Sequence, residues 1–234
     1  MIRRPVIFVA VIAACLGLAV TASADMVSYT ASVGATLGNW TRSVSIPKFD
    51  PFNPNPAIPG SAPGTLRGII FELEAGVSGD AIVENHASTS QPFAVTLGAT
   101  VTLERPDLTT LVVSIPLVNS PSQSIGPYDG KYDYTGTDSY TWTGLTATKT
   151  ETKVAPPPTS DLALFTGTGD ISLPVKAEAD NSYNGHGFDR SKFTTWANAN
   201  IRVTYLYYTP EPGSLALLGL GLPLAGIWFR RRKK

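Results

Sequence analysis

Apolar residues recur at every second position through most of this chain, and a pattern of period two can bury one face of a β-strand but not one face of a helix. The alternation runs through Val27, Tyr29 and Ala31, through Trp40, Val44 and Ile46, and through Ile69, Phe71, Leu73 and Ala75. It is longest at Phe93, Val95, Leu97, Ala99, Val101 and Leu103. It returns at Leu111, Val113 and Ile115, at Ile171, Leu173 and Val175, and at Trp196, Ala199, Ile201, Val203 and Tyr205. No stretch of eleven or more residues holds a 3.6-residue period. Eight or more short strands parted by Gly, Pro and Asn turns predict an all-β fold, an antiparallel β-sandwich of jelly-roll or Ig-like type.

Three segments interrupt the pattern. Phe49 to Gly64 carries Pro51, Pro54, Pro56, Pro59 and Pro63, and proline has no N–H to give a central strand, so this is a surface loop. Gln123 to Gly136 is rich in Gly, Asp and Tyr, and Ala155 to Ser160 contains Pro156, Pro157 and Pro158, a polyproline II-like connector. A polar stretch from Asp180 to Asp189 joins the last strands.

The two ends are different in kind. Arg3 and Arg4 precede an apolar run from Val6 to Val20, and Ala22, Ser23 and Ala24 supply the small-x-small pattern of a signal peptidase site, with cleavage after Ala24. Ile12, Ala13, Ala14 and Cys15 also read as a bacterial lipobox, in which Cys15 would be lipidated. At the other end Pro210, Glu211, Pro212 and Gly213 lead into an apolar run to Phe229, closed by Arg230, Arg231, Arg232, Lys233 and Lys234. A run of about 17 residues at ~1.5 Å each is just long enough for one transmembrane helix, and the basic block holds its end on the cytoplasmic side. Residues 25–209 would then form one exported domain of about 185 residues, large enough for its own core.

Charge follows the same division. Seven of the eighteen basic residues lie in the end segments, as does one of the eighteen acidic ones, so the body keeps eleven against seventeen and is close to −6. That balance leaves no basic patch for nucleic acid or for anionic lipid. Cys15, the only cysteine, lies in the leader, so the body has no disulfide, thiolate metal site or cysteine nucleophile.

The tail TPEPGSLALLGLGLPLAGIWFRRRKK resembles the PEP-CTERM sorting signal of Gram-negative bacteria, with its Pro-Glu-Pro box, apolar span and arginine-rich end in order. That resemblance implies an exosortase as processing partner, acting near Pro210 to Gly213, after export by the Sec translocon and signal peptidase. The body resembles the choice-of-anchor E family through TRSVSIPKFDP (Thr41 to Pro51), GTL (Gly64 to Leu66), DLALFTGTGDISLPV (Asp161 to Val175) and the closing WANANIRVTYLYY. The resemblance implies a location at the cell surface or in an exopolysaccharide matrix, with no established activity and no cofactor. The Pro/Asn-rich insertion between FDP and GTL is longer than that family's pattern.

Candidate sites for chemistry are few. Glu84 and His86 would share a strand face with Asp80 nearby, an arrangement that can bind a metal or relay a proton, although it equally describes an exposed strand end. His186 near Asp189 reads as a turn residue. Asp129, Asp133 and Asp138 offer carboxylates to calcium but lack the spacing of an EF-hand loop, and Asx turns would account for them as well. No G-x-S-x-G, H-E-x-x-H or phosphate loop is present, and the expectation is a non-enzyme. Tyr132 with Tyr134, and Tyr140 with Trp142, would each share a strand face and are candidates for stacking on sugar rings, or for packing across strands.

Overall fold

The computed structural model describes residues 24–155, 160–185 and 189–209. They form an all-β structure of antiparallel sheets, consistent with a β-sandwich. Its strands are β1 (Ala24–Leu37), β2 (Trp40–Pro47), β3 (Thr65–Asn85), β4 (Gln91–Glu104), β5 (Thr110–Ser114), β6 (Leu117–Asn119), β7 (Gln123–Ile125), β8 (Ser139–Ala155), β9 (Asp170–Ala179), β10 (Ser182–Asn184) and β11 (Asp189–Tyr208). The single helix among the described residues, α1 (Ser160–Leu164), is one turn long, and no described helix is long and apolar enough to cross a membrane. The leader and the tail from Pro210 onward lie outside the described residues.

One sheet has the order β1-β11-β3-β8, and the other the order β10-β4-β9-β2, with β5, β6 and β7 also pairing β4. The inward faces carry the predicted alternation. Ile69, Phe71, Leu73 and Ala75 from β3 meet Leu97, Ala99, Val101 and Leu103 from β4, and Leu173 and Val175 from β9, all of them solvent-free. Burying a large aliphatic side chain of this kind contributes about 1.5–3 kcal/mol. Tyr205 on β11 is also fully buried. Its hydroxyl donates to Pro47 O at 2.8 Å, and burial pushes its phenol far above the ordinary range, so it stays a neutral donor.

Two expectations need correction. The strands are not uniformly short, since β3 has 21 residues and β11 has 20. The two run beyond the main core and build a second, smaller one with Phe93, Val95, Ile125 and Trp142. The alternation also fails in β5, where Leu111 and Val112 are both buried while Val113 and Ile115 face solvent. A register shift between Leu103 and Glu104 makes Leu111 an extra residue opposite β4 and reverses the faces that follow. Ser114 therefore lies inside, where its hydroxyl donates to Lys149 O at 2.8 Å.

The β3–β11 contact admits no side chain at Gly79, because a Cβ there would overlap the Thr194 carbonyl. Gly34 in β1 has open space instead. Gly79→Ala is expected to lower the unfolding free energy by about 2 kcal/mol or more, as overpacking does, while Gly34→Ala should stay within about 0.5 kcal/mol of the parent. Urea titrations of the two variants check this, and equal midpoints would contradict the close approach at Gly79.

Candidate functional site

Where β3 ends and β11 begins, three polar residues are fully buried: Glu84, Asn85 and Asp138. They hold the segment between β7 and β8, residues 126–138, over that end of the sheet. Asn85 is the centre of the arrangement. Its Nδ2 donates to Gly126 O at 2.7 Å and Thr89 O at 2.9 Å, and its Oδ1 accepts the Ala87 N–H at 2.8 Å. Its own N–H donates to Asp138 O at 2.7 Å. Glu84 Oε1 accepts the Asp133 N–H at 3.1 Å, and Asp138 Oδ2 accepts the Asp129 N–H at 3.0 Å. A buried polar group without such partners costs about 1–3 kcal/mol, so these bonds make the loop part of the fold.

An aromatic cluster sits on this frame. The Tyr128 N–H donates to Ala87 O at 2.9 Å, which brings its ring 5.0 Å from the His86 imidazole and 5.2 Å from Tyr132. Tyr132 meets His86 edge-on at 4.5 Å. Burial first, and then a hydrogen bond with Tyr132, push the Tyr128 phenol up to about 12, with the negative charges of Glu84 and Asp129 acting in the same direction. Across the sheet edge Arg190, paired in register with Glu84, holds its guanidinium 5.5 Å from the ring centres of both Tyr132 and Tyr134. Tyr132 remains 63% exposed, so one large aromatic surface next to a cation faces solvent.

The sequence-predicted residues fall on this picture unevenly. Glu84 and His86 do come together, with Oε2 and Nε2 3.4 Å apart. They are not an exposed strand end, however, since Glu84 is fully buried and His86 is roofed by the two tyrosines. Asp80 is turned elsewhere and accepts the Gly144 N–H at 2.9 Å. Tyr132 and Tyr134 are not on a strand, and Tyr134 has a φ of 58°; they meet at Arg190 because the loop folds back, not because a strand alternates. Tyr140 and Trp142 do share a face of β8, at 4.9 Å. Trp142 belongs to the smaller core and donates its indole N–H to Pro121 O at 3.3 Å, which removes it from any surface platform.

Asp129 and Asp133 close Asx turns. Asp129 Oδ1 accepts the Lys131 N–H at 2.8 Å. Asp133 Oδ1 accepts the Thr135 hydroxyl at 2.7 Å and the Thr135 N–H at 2.9 Å, bonds that hold its carboxyl below the ordinary range. Among the described residues no group of three or more His, Cys, Asp or Glu side chains is arranged to hold a metal ion. Sequence reasoning missed Asn85 and Arg190. Asn85 stands at the end of an alternating run, where a polar residue reads as solvated, and Arg190 carries no local signal for tyrosines more than fifty positions earlier in the chain.

Of the other predicted residues, Ala24 is described, at the opposite end of the ladder. Ala24 is the first residue of β1 and pairs with Tyr208, the last residue of β11, and Thr209 Oγ1 donates to Asp25 Oδ2 at 2.8 Å. Ala22, His186, Pro210 to Gly213 and Arg230 to Lys234 lie outside the described residues. The two ends of β11, at about 3.3 Å per residue, are about 60 Å apart.

Residues 209–233 match the PEP-CTERM protein-sorting motif. No curated protein matches the chain. Among solved structures, the infectious bursal disease virus Gx strain shares 13% identity with a TM-score of 0.26, over 80% of this chain and 38% of that one. The VP2 subviral particle of the same virus gives 14% and 0.26 over the same shares, and the tailspike protein of Acinetobacter baumannii phage AM24 gives 7% and 0.17, over 70% and 26%. The chain thus spans well under half the length of these solved chains.

Asn85→Ala would leave the Gly126 and Thr89 carbonyls without their donor. The variant is expected to lose about 2–4 kcal/mol of stability and to become sensitive to limited proteolysis within residues 126–138. Unchanged protease resistance would mean that Asn85 does not hold the loop.

Proposed function

We propose that this chain is a non-catalytic exported protein of the cell surface or extracellular matrix, sorted and then processed at its C terminus by an exosortase. The observation that carries this reading is the PEP-CTERM motif at residues 209–233, which implies exosortase-dependent sorting of an exported protein. The motif begins on the residue that follows β11, so the sheet ends where the sorting signal starts. At the partner strand the signal-peptidase site falls where β1 begins. The sorting motif thus starts just past the ladder, and cleavage after Ala24 would remove a single end pair, Ala24 with Tyr208, and no core residue among those described. The body fits a choice-of-anchor E type domain of jelly-roll or Ig-like build, and its acidic balance suits a soluble module in a hydrated exopolysaccharide layer. Glu84 and His86 act in this reading as a buried strut under the loop and not as an acid–base pair.

A second reading, a carbohydrate-binding module, is favoured by one observation: the exposed Tyr132 ring beside Arg190 and Tyr134. Aromatic faces stack on sugar rings, and a guanidinium edge can donate to paired hydroxyls or to a uronate carboxylate.

Fractionation of cells with and without the cognate exosortase tests the first reading. A mature form lacking the tail is expected only where the enzyme is present, and an intact tail in both strains would refute it. For the second, binding on a glycan array should drop at least about tenfold in Tyr132→Ala, a loss on the scale of one stacking contact. Binding equal to the parent would dispose of the platform.

A further inference from the structure

The end of the fold where β1 starts and β11 stops carries apolar side chains held out in solvent. The Pro-rich segment between β2 and β3 packs against Tyr207 there. A Cβ on Gly64 would lie 2.8 Å from Tyr207 Cδ2 and 3.2 Å from Pro54 Cβ, and the Gly64 N–H donates to Pro51 O at 2.8 Å. The segment is braced by Asp50 Oδ1, which accepts the Phe52 N–H at 2.9 Å, by Asn55 Oδ1, which accepts the Ala57 N–H at 3.1 Å, and by a turn from Ile58 N–H to Asn55 O at 3.0 Å. What this brace presents is Phe52, 81% exposed, and Ile58, 55% exposed. Met26 and Tyr208 stand exposed at the same end, beside Leu206, which pairs with Met26, and Arg67 lies 5.6 Å over the Tyr208 ring. Single exposed apolar residues are ordinary, but several braced at one end are the mark of an interaction surface.

The connection to the tail says what covers it. If the apolar run from Gly213 crosses a bilayer, only Thr209 to Pro212 separate β11 from the hydrocarbon, and four residues fully extended reach about 14 Å at most. The headgroup layer on each side of the core is itself about 5–8 Å thick. The end of the domain is therefore held within about 6–9 Å of the headgroup surface, close enough for exposed side chains at that end to reach it. Aromatic and cationic side chains such as Phe52, Tyr208 and Arg67 are the residues favoured at this depth.

We infer that this end is a lipid-docking surface, seated on the phospholipid headgroups of the bilayer that holds the sorting tail, with Phe52 and Ile58 as its wedges. The inference rests on the reading of residues 213–229 as a membrane span. It adds that the domain stands on the membrane in one orientation, with Tyr132 and Arg190 about 60 Å along β11 from the lipid.

Spin labels on single-cysteine variants of the full-length chain in phospholipid vesicles test this. Phe52→Cys and Ile58→Cys, each with Cys15→Ser, are compared with Ser88→Cys in the β3–β4 turn at the opposite end. Flotation with the vesicles, compared with that of a chain ending at Thr209, first reports whether the tail inserts. The expected result is an oxygen-to-nickel accessibility ratio at 52 and 58 at least roughly threefold above that at 88, as for a side chain about 5–10 Å into the headgroup and acyl boundary. A floating chain with equal ratios at all three positions would overturn the docking and leave the sorting reading intact. A chain that fails to float overturns both. Dipolar broadening at 52 or 58 that grows with protein density would assign the surface to a second copy of the chain and equally refute lipid docking.

Discussion

Because β3 and β11 stay paired from Asn85–Asp189 to Thr65–Tyr208, they form one ribbon about 60 Å long, with β1 and β8 along its two sides and the β4–β9 sheet packed on its inward face. Its inward face supplies Leu73, Ala75, Ile201, Val203 and Tyr205 to the main core, and its further reach supplies Ala81 and Val83 to the smaller one. Two departures from regular pairing tune it. Arg67 is an extra residue where Leu206 pairs with Gly68 and Tyr207 with Leu66, and the missing side chain at Gly79 lets the Thr194 carbonyl approach. Any change that parts these two strands removes both cores together, which is why a single methyl at Gly79 matters more than one at Gly34.

How far the sequence foretold this depends on what each residue answers to. Residues that answer to solvent were legible: the alternations of β3, β4, β9 and β11 mark the inward face, and the proline-rich stretch after Phe49 is a loop. Residues that answer to a distant backbone were not. The bulge at Leu111 depends on how β5 meets β4, and a period-two template has no term for an inserted residue. Strand length was underestimated because glycines such as Gly76 and Gly79 read as turn signals, although here Gly79 marks a close backbone approach and Gly76 leaves room for the Asn198 side-chain amide.

The candidate site shows the same limit at the level of chemistry. A period-two template assigns polar residues to water, yet Glu84, Asn85 and Asp138 are inside because the 126–138 segment offers N–H and carbonyl groups that water no longer reaches. The aromatic residues of that segment stood out in the sequence by their number alone. Their grouping was not, because strand alternation pairs neighbours two apart whereas the folded loop sorts them by partner: Tyr128 and Tyr132 go to His86, Tyr132 and Tyr134 to Arg190, and Trp142 to the core.

The two ends of the β11 ribbon therefore hold different kinds of surface, and the fold keeps them apart. Near Tyr208, the residue before the sorting motif, the exposed groups are mainly apolar, with Arg67 over the tyrosine ring; near Asp189 they are aromatic, hydroxylated and charged, and rest on buried hydrogen bonds. Pairing β1 with β11 sets Ala24 beside Tyr208, so the sorting motif begins next to the first described residue of β1. The Thr209 to Asp25 hydrogen bond then joins β1 to the first residue of the sorting motif. Every described strand finds its partners within residues 24–208, so the sheet is complete up to the residue on which the sorting motif starts.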